Sequence, residues 1–296
     1  MRRSKKQLQY HLLLAPGMIL LFIFSFVPLF GLVMAFQDFK PVKGFFGSKW
    51  VGLKYFKILF TQPACLSAFK NTIIIAFGKI ILGVIVPVAF ALLLNEIRHM
   101  FFKKTVQTIV YLPHFLSWVV LASVVQYIFA ADGPVNSMIT SMGGQSVAVL
   151  QSNTWFRPVM ILTEVWKEFG YGSIIYLAAL TGIDPGLYEA ASIDGATRWK
   201  QLIHITLPSI VGIILVMFTM ALPNILNAGF DQIFNLYTPG VYESGDILDT
   251  YIYRFGIRKR QYSMATAVGL LKAVVGAALI WIANKLVTKF SDRTMF

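Results

Sequence analysis

Six times along its 296 residues this chain runs apolar for about the length that crosses a bilayer. A hydrocarbon core of roughly 30 Å takes about 20 mainly apolar residues in helical form. The stretches fall near 12–36, 72–94, 106–130, 158–181, 207–227 and 265–287. With 57% hydrophobic and 13% charged residues, the connectors cannot enclose a sizeable water-soluble core. In hydrocarbon, backbone polar groups must be satisfied within the segment, which selects helices here. The sequence therefore predicts an all-α, polytopic membrane protein with six transmembrane helices and one domain over residues 1–296.

The net charge of +13 would suggest nucleic acid in a soluble protein; here it reads as membrane flanks meeting lipid, with no nucleic-acid partner. Met1-Arg2-Arg3-Ser4-Lys5-Lys6 precedes the first span and predicts a cytoplasmic N-terminus. An even number of spans then puts the C-terminus inside as well. Lys and Arg number 12 on the predicted inner segments and 11 on the outer ones. Density alone favours the inside, because the outer loops are nearly twice as long. The first apolar run is too long for a cleaved leader, and Met34-Ala35-Phe36-Gln37-Asp38 offers no small-x-small site, so an uncleaved anchor is expected. Cys65 is the single cysteine, which excludes an internal disulfide and a thiol-based metal or redox site.

Pro16 and Pro28 lie near the two ends of the first span and are expected to bend or limit it. Trp50, Tyr55 and Phe56 in the following outer loop suit the lipid–water interface. Asp132-Gly133-Pro134 ends the third span with turn chemistry. The outer connection from Gly229 to Ser263 is long enough to form part of a contact surface.

One connector is unlike the rest. Between Thr181 and Pro208 runs the polar segment GIDPGLYEAASIDGATRWKQLIHITL. Asp184 followed by Pro185 fits an N-cap and first helical position. A short helix through Leu187, Tyr188, Glu189, Ala190 and Ala191 can end at Gly195, which tolerates positive φ, and Thr197 can cap a second helix entering the fifth span. Ala190, Ala191 and Ala196 keep one surface slim enough for close approach. Glu189 and Asp194 offer acceptors, and Arg198 and Lys200 donors. Composition alone allows an ordinary hairpin on lipid headgroups, although three acidic residues would face anionic lipid.

Glu189-Ala190-Ala191, Asp194-Gly195-Ala196 and Ile205-Thr206-Leu207-Pro208 stand at the spacing of the cytoplasmic coupling loop, or EAA motif, of ABC importer permeases. The segment Ile183 to Pro208 resembles that family nearly position for position, and the six-span layout resembles it loosely. Leu202 departs from the pattern, where an aromatic residue is common. The resemblance implies a type I importer permease-like fold in the bacterial plasma membrane and a loop, 182–206, that docks on a separate ATPase. Glu189, Ala190, Ala191, Asp194, Gly195 and Arg198 would form the docking element. The resemblance also implies a second permease subunit, a homologue or a copy, an ATPase dimer and an extracytoplasmic solute-binding protein. The chain carries no G-x-x-x-x-G-K-[ST] phosphate loop, so ATP and Mg would sit on the partner ATPase and this chain would bind no cofactor and be no enzyme. Tyr188 to Ala196 looks most like permeases for oligosaccharides. Leu14-Ala15-Pro16-Gly17 and Val27-Pro28-Leu29 resemble those for polysaccharide-derived sugars.

Ionisable residues inside the spans are costly and usually face protein or a water-filled cavity. Lys79, Glu164 and Lys272 fall at similar depth, with Lys167 and Glu168 a turn deeper. A cluster of Lys79, Lys272, Glu164 and Glu168 is predicted; mutual pairing is the commoner outcome and solute contact the alternative. Pro223, Asn224 and Asn227 break the fifth span, where freed carbonyls and amides suit either sugar hydroxyls or helix–helix bonds. Trp118, Gln126, Trp166 and Tyr171 could stack on or bond a sugar ring, although packing is the commoner role of each. His114 and His204 are isolated in sequence and show no metal-ligand spacing.

An ion-gradient-driven secondary transporter is the alternative; it would ordinarily show hydropathy repeated in two halves, and no such repeat is visible. A membrane-embedded enzyme would need catalytic groups gathered at one depth, and Glu164 with Glu168 has no His or metal partner nearby in sequence.

Overall fold

The structure is a computed structural model that describes residues 2–290. Arg293, counted above with the cytoplasmic charges, lies outside the described residues. Long helices dominate, as the apolar runs require. α1 spans Arg2–Leu21. A hairpin of β1 (Gln37–Asp38) and β2 (Lys49–Trp50) follows. Then come α2 (Pro63–Asn95), α3 (Met100–Tyr111), α4 (Trp118–Ile128) and α5 (Phe156–Thr181). α6 is Pro185–Ile193, α7 the continuous helical run Arg198–Leu226, α8 Phe230–Leu236 and α9 Tyr262–Phe290. Several shorter helical turns connect these elements.

By length and composition, four described helical runs can cross a membrane: Gln9–Phe36, Pro63–Asn95, Arg198–Leu226 and Tyr262–Ile282. The six predicted spans differ from this at two places. The third, 106–130, is a bent pair rather than one helix: Met100–Phe115 and Trp118–Ile128 meet at 107°, and they make a fifth span only if taken together. The cause is local. Pro113 starts a short 3-10 turn, Leu116 and Ser117 are extended, and the Ser117 hydroxyl caps the new helix by accepting from Val120 N. The fourth, 158–181, is one unbroken helix of 26 residues, but Arg157, Glu164, Lys167 and Glu168 interrupt its apolar sequence. Pro16 sits inside α1, whereas Pro28 coincides with the change from a π turn to a 3-10 helix.

The described chain forms two compact units, 2–66 with 251–274 and 67–250 with 275–290. In the first, the hairpin pairs Gln37 with Trp50 and Asp38 with Lys49. Trp50 stacks on Phe36, and the Tyr55 hydroxyl donates to Asp38 at 2.8 Å, so these aromatics order the loop as well as flanking a span. Burial and that bond to a carboxylate raise the Tyr55 pKa. Phe39 N donates to Ser263 Oγ at 2.9 Å and Tyr251 to Gln62 at 2.7 Å, fastening the segment after the first span to the one that precedes α9.

In the second unit a buried apolar cluster joins Ile75 of α2, Val125 of α4, Phe156 and Met160 of α5, and Ile233 of α8. A second joins Val88, Tyr176, Leu180 and Ile210, from α2, α5 and α7. Close approach is set by Gly170: a Cβ there would lie 2.3 Å from the Val110 carbonyl oxygen, so α5 and α3 touch backbone to backbone. The segment after α7 is far from a plain loop. Gln232, Ile233, Val241 and Ile247 are all fully buried in it.

Candidate functional site

Two places in the second unit carry the polar chemistry. The first is the connector between α5 and α7. Asp184 accepts from Gly186 N at 2.9 Å, Pro185 follows at the first helical position, and α6 begins. The helix ends in a Schellman turn: Ala196 N donates to Ala191 O at 2.8 Å and Gly195 N to Ser192 O at 3.1 Å. Gly195 takes φ +73° there. Thr197 then caps α7 by accepting from Lys200 N at 3.4 Å. The predicted helix-turn-helix is present, and side chains tie its arms together. Gln201 donates to Ser192 Oγ at 2.9 Å, and the Tyr188 and Thr206 hydroxyls lie 2.9 Å apart.

Glu189, Ala190, Asp194 and Gly195 are exposed, and Ala191 is half-buried. Ile193 is 87% and Trp199 68% exposed, so apolar side chains project from a polar loop, as a protein-docking surface requires. A hollow of about 870 Å³ lies beside the loop, lined by Glu96, Arg98, Tyr188, Glu189, Ile193 and Arg198 among others. Arg198 donates to Glu96 at 2.9 Å, just beyond the end of α2. That pair is open to water and contributes about 0–1 kcal/mol. It does link the connector to the foot of α2.

The second place is a cavity of about 500 Å³ lined by Lys79, Glu164, Glu168, Tyr176, Asn224 and Asn227 with apolar neighbours. Lys79 on α2 stands 3.5 Å from Glu164 on α5, donates to Ala228 O at 2.6 Å and also donates to Gln232 Oε1. An ammonium has three N–H donors, so all three are engaged. Gln232 in turn donates to Met160 O and Thr163 Oγ1, each at 2.8 Å.

The single predicted charge cluster is corrected to two nodes. Glu168 turns to Lys167, at 2.6 Å, and to His114 Nδ1, at 2.7 Å. Lys167 also donates to His114 O at 3.0 Å, and the His114 ring stacks on Tyr171 with centroids 3.9 Å apart and planes 1° from parallel. This node sits at the 107° bend and holds it to α5. Lys272 lies half-buried on α9, in the other unit. Trp118 packs against the apolar core, and Gln126 donates to Asn235 O at 3.0 Å at the end of α8. The cavity thus gathers Lys79, Glu164, Glu168, Asn224 and Asn227 of the predicted residues. Gln232 and His114 were missed as partners. Gln232 left a trace, as a polar residue beside Asp231 between the apolar Phe230 and Ile233-Phe234; His114 left none beyond its place after Pro113.

Helices α2, α5 and α7 around a polar cavity, with an ordered helix-turn-helix on the connector between two of them, form an architecture suited to a transport subunit. Residues 83–293 match the family of binding-protein-dependent transport system inner membrane components, and the chain belongs to that family. It is 42% identical over 98% of its length, and 91% of the relative's, to the polygalacturonan/rhamnogalacturonan transport system permease protein YteP of Bacillus subtilis (strain 168). It is 40% identical to protein LplB of the same organism over 100% of this chain and 93% of that one. A solved bacterial alginate ABC transporter, in complex with alginate pentasaccharide-bound periplasmic protein, has a chain that superposes with TM-score 0.90. Identity to it is 38%, covering 99% of each chain. The protein is an ABC permease with membrane-spanning helices.

Proposed function

We propose that this chain is one of two related permease subunits of an importer that takes up oligosaccharides released from an acidic polysaccharide, driven by a separate ATPase pair. The observation that carries the reading is the preorganised connector: Asp184, Gly195 and Thr197 hold a rigid helix-turn-helix whose Glu189, Ile193 and Trp199 project outward. On this reading Glu189, Ala190, Ala191, Asp194, Gly195 and Arg198 seat in the ATPase, which binds ATP and Mg, while this chain binds neither. The connector then faces the cytoplasm, as do both termini, and a solute-binding protein delivers sugar to the opposite side. Movement of the loop reaches the cavity by two covalent routes, α5 and α7, and by the Arg198–Glu96 pair to α2.

An acidic sugar is favoured because YteP is a permease for polygalacturonan/rhamnogalacturonan and the alginate transporter carries an acidic polysaccharide. Asn224 and Asn227 on the cavity wall offer amides to sugar hydroxyls. The test is uptake by cells expressing the chain with its second permease, ATPase and solute-binding protein, offered unsaturated trigalacturonate, an alginate trisaccharide and maltotriose. Uptake of an acidic sugar that stops without ATP supports the reading. Uptake of maltotriose alone, or uptake driven by an ion gradient without the ATPase, refutes it.

A further inference from the structure

Lys79 was expected either to pair or to meet solute, and its geometry gives it a more specific task. The chain leaving α7 turns at Gly229, with φ +90°, into α8, and Asn227 and Gly229 of that turn line one side of the cavity. Lys79 reaches this segment twice, at Ala228 O and at Gln232 Oε1, and anchors it to α5 through Glu164. Gln232 is fully buried and repeats the link to α5 through Met160 and Thr163. The packing is tight: a Cβ on Gly229 would lie 2.9 Å from Lys79 Nζ.

We propose that Lys79 is the fastening of the gate at the outer end of the cavity: its ammonium bolts residues 228–232 to α2 and α5, and must release them for solute to enter. This rests on the import reading above. Apolar contacts would hold the segment at less desolvation cost than a buried ammonium. A hydrogen-bonded node differs in that water entering an opening cavity replaces its bonds one for one, which makes the closure reversible. The same ammonium has no donor left for solute while the gate is shut. Its position on α2 also places it on the helix whose foot meets the connector through Glu96.

The test is access to the cavity from outside. In the assembled transporter with Cys65→Ser, Ala221→Cys on the cavity wall is exposed to a membrane-impermeant maleimide in the absence of ATP and sugar. Lys79→Met is expected to raise the labelling rate at least fivefold, and Gln232→Met to raise it in the same direction. Should Lys79→Met fail to assemble, Gln232→Met decides, since it keeps the Lys79–Glu164 pair. If ATP, vanadate and sugar-loaded binding protein speed labelling of the parent while both variants label at the parent's resting rate, the fastening role is overturned and import survives. If the parent is not labelled faster under those conditions either, alternating access itself fails, and the gate with it.

Discussion

Gly195 offers a clean test of how the connector works, because nothing but backbone conformation distinguishes its variants. It occupies the left-handed position of the Schellman turn at φ +73°, and a Cβ built there meets no atom within 4 Å. Sterics with neighbours therefore contribute nothing to Gly195→Ala. What remains is the intrinsic cost of an L-residue in that region, roughly 1–2 kcal/mol. This corresponds to about a 5- to 30-fold drop in the equilibrium constant for forming the turn. If the ATPase binds only the turned form, that factor is the upper bound on the fall in its affinity for the permease. Asn tolerates the left-handed region, so Gly195→Asn should recover most of the loss, and β-branched Gly195→Val should exceed it. The assay is titration of purified ATPase onto the permease pair in nanodiscs, with each variant. Equal affinity for the Ala, Asn and Val variants and the parent would refute the claim that the docked state needs this turn. Equal damage by Asn and Val would show that Gly195 matters for surface contact instead.

Two further substitutions probe the frame. Asp184→Ala removes the cap on Gly186 N and should cost about 1 kcal/mol of α6 stability, seen as roughly fivefold faster hydrogen exchange at amides 186–190, while Asp184→Asn stays near the parent. Gly170→Ala drives a methyl to 2.3 Å from the Val110 carbonyl, which cannot swing aside, and should destabilise the α3–α5 contact by about 1–3 kcal/mol. Gly212→Ala, inside α7 with nothing within 4 Å, should hold or raise the thermal midpoint in detergent, since Ala is favoured over Gly in a helix by roughly 0.5–1 kcal/mol.

The parts legible in the sequence are those governed by local chemistry. Asp184-Pro185, Gly195 and Thr197 each act within about four residues of themselves, and each sits where its cap or turn role places it. Apolar length likewise marked the long helices. The bend at Leu116–Ser117 was hidden because both flanking helices are apolar, so hydropathy ran through it without a break. The pairing of charges was hidden for a different reason. Depth along a helix correctly brought Lys79 beside Glu164, but depth does not show which neighbour a side chain meets. Glu168, one turn along the same face of α5 and on the wall of the same cavity, pairs with Lys167 and His114 instead. The strongest partners of Lys79, Ala228 O and Gln232, come from a segment some 150 residues away that sequence showed only as a loop.

The central claim is that the connector transmits ATP hydrolysis to this cavity, and Glu189→Lys tests it most directly. The measurement is ATP hydrolysis and sugar uptake side by side in proteoliposomes holding the complete transporter. The account predicts that the variant assembles into the membrane but loses uptake, with hydrolysis no longer tied to sugar-loaded binding protein. Uptake and hydrolysis both at the parent's level would contradict it, and would place the coupling elsewhere in the chain.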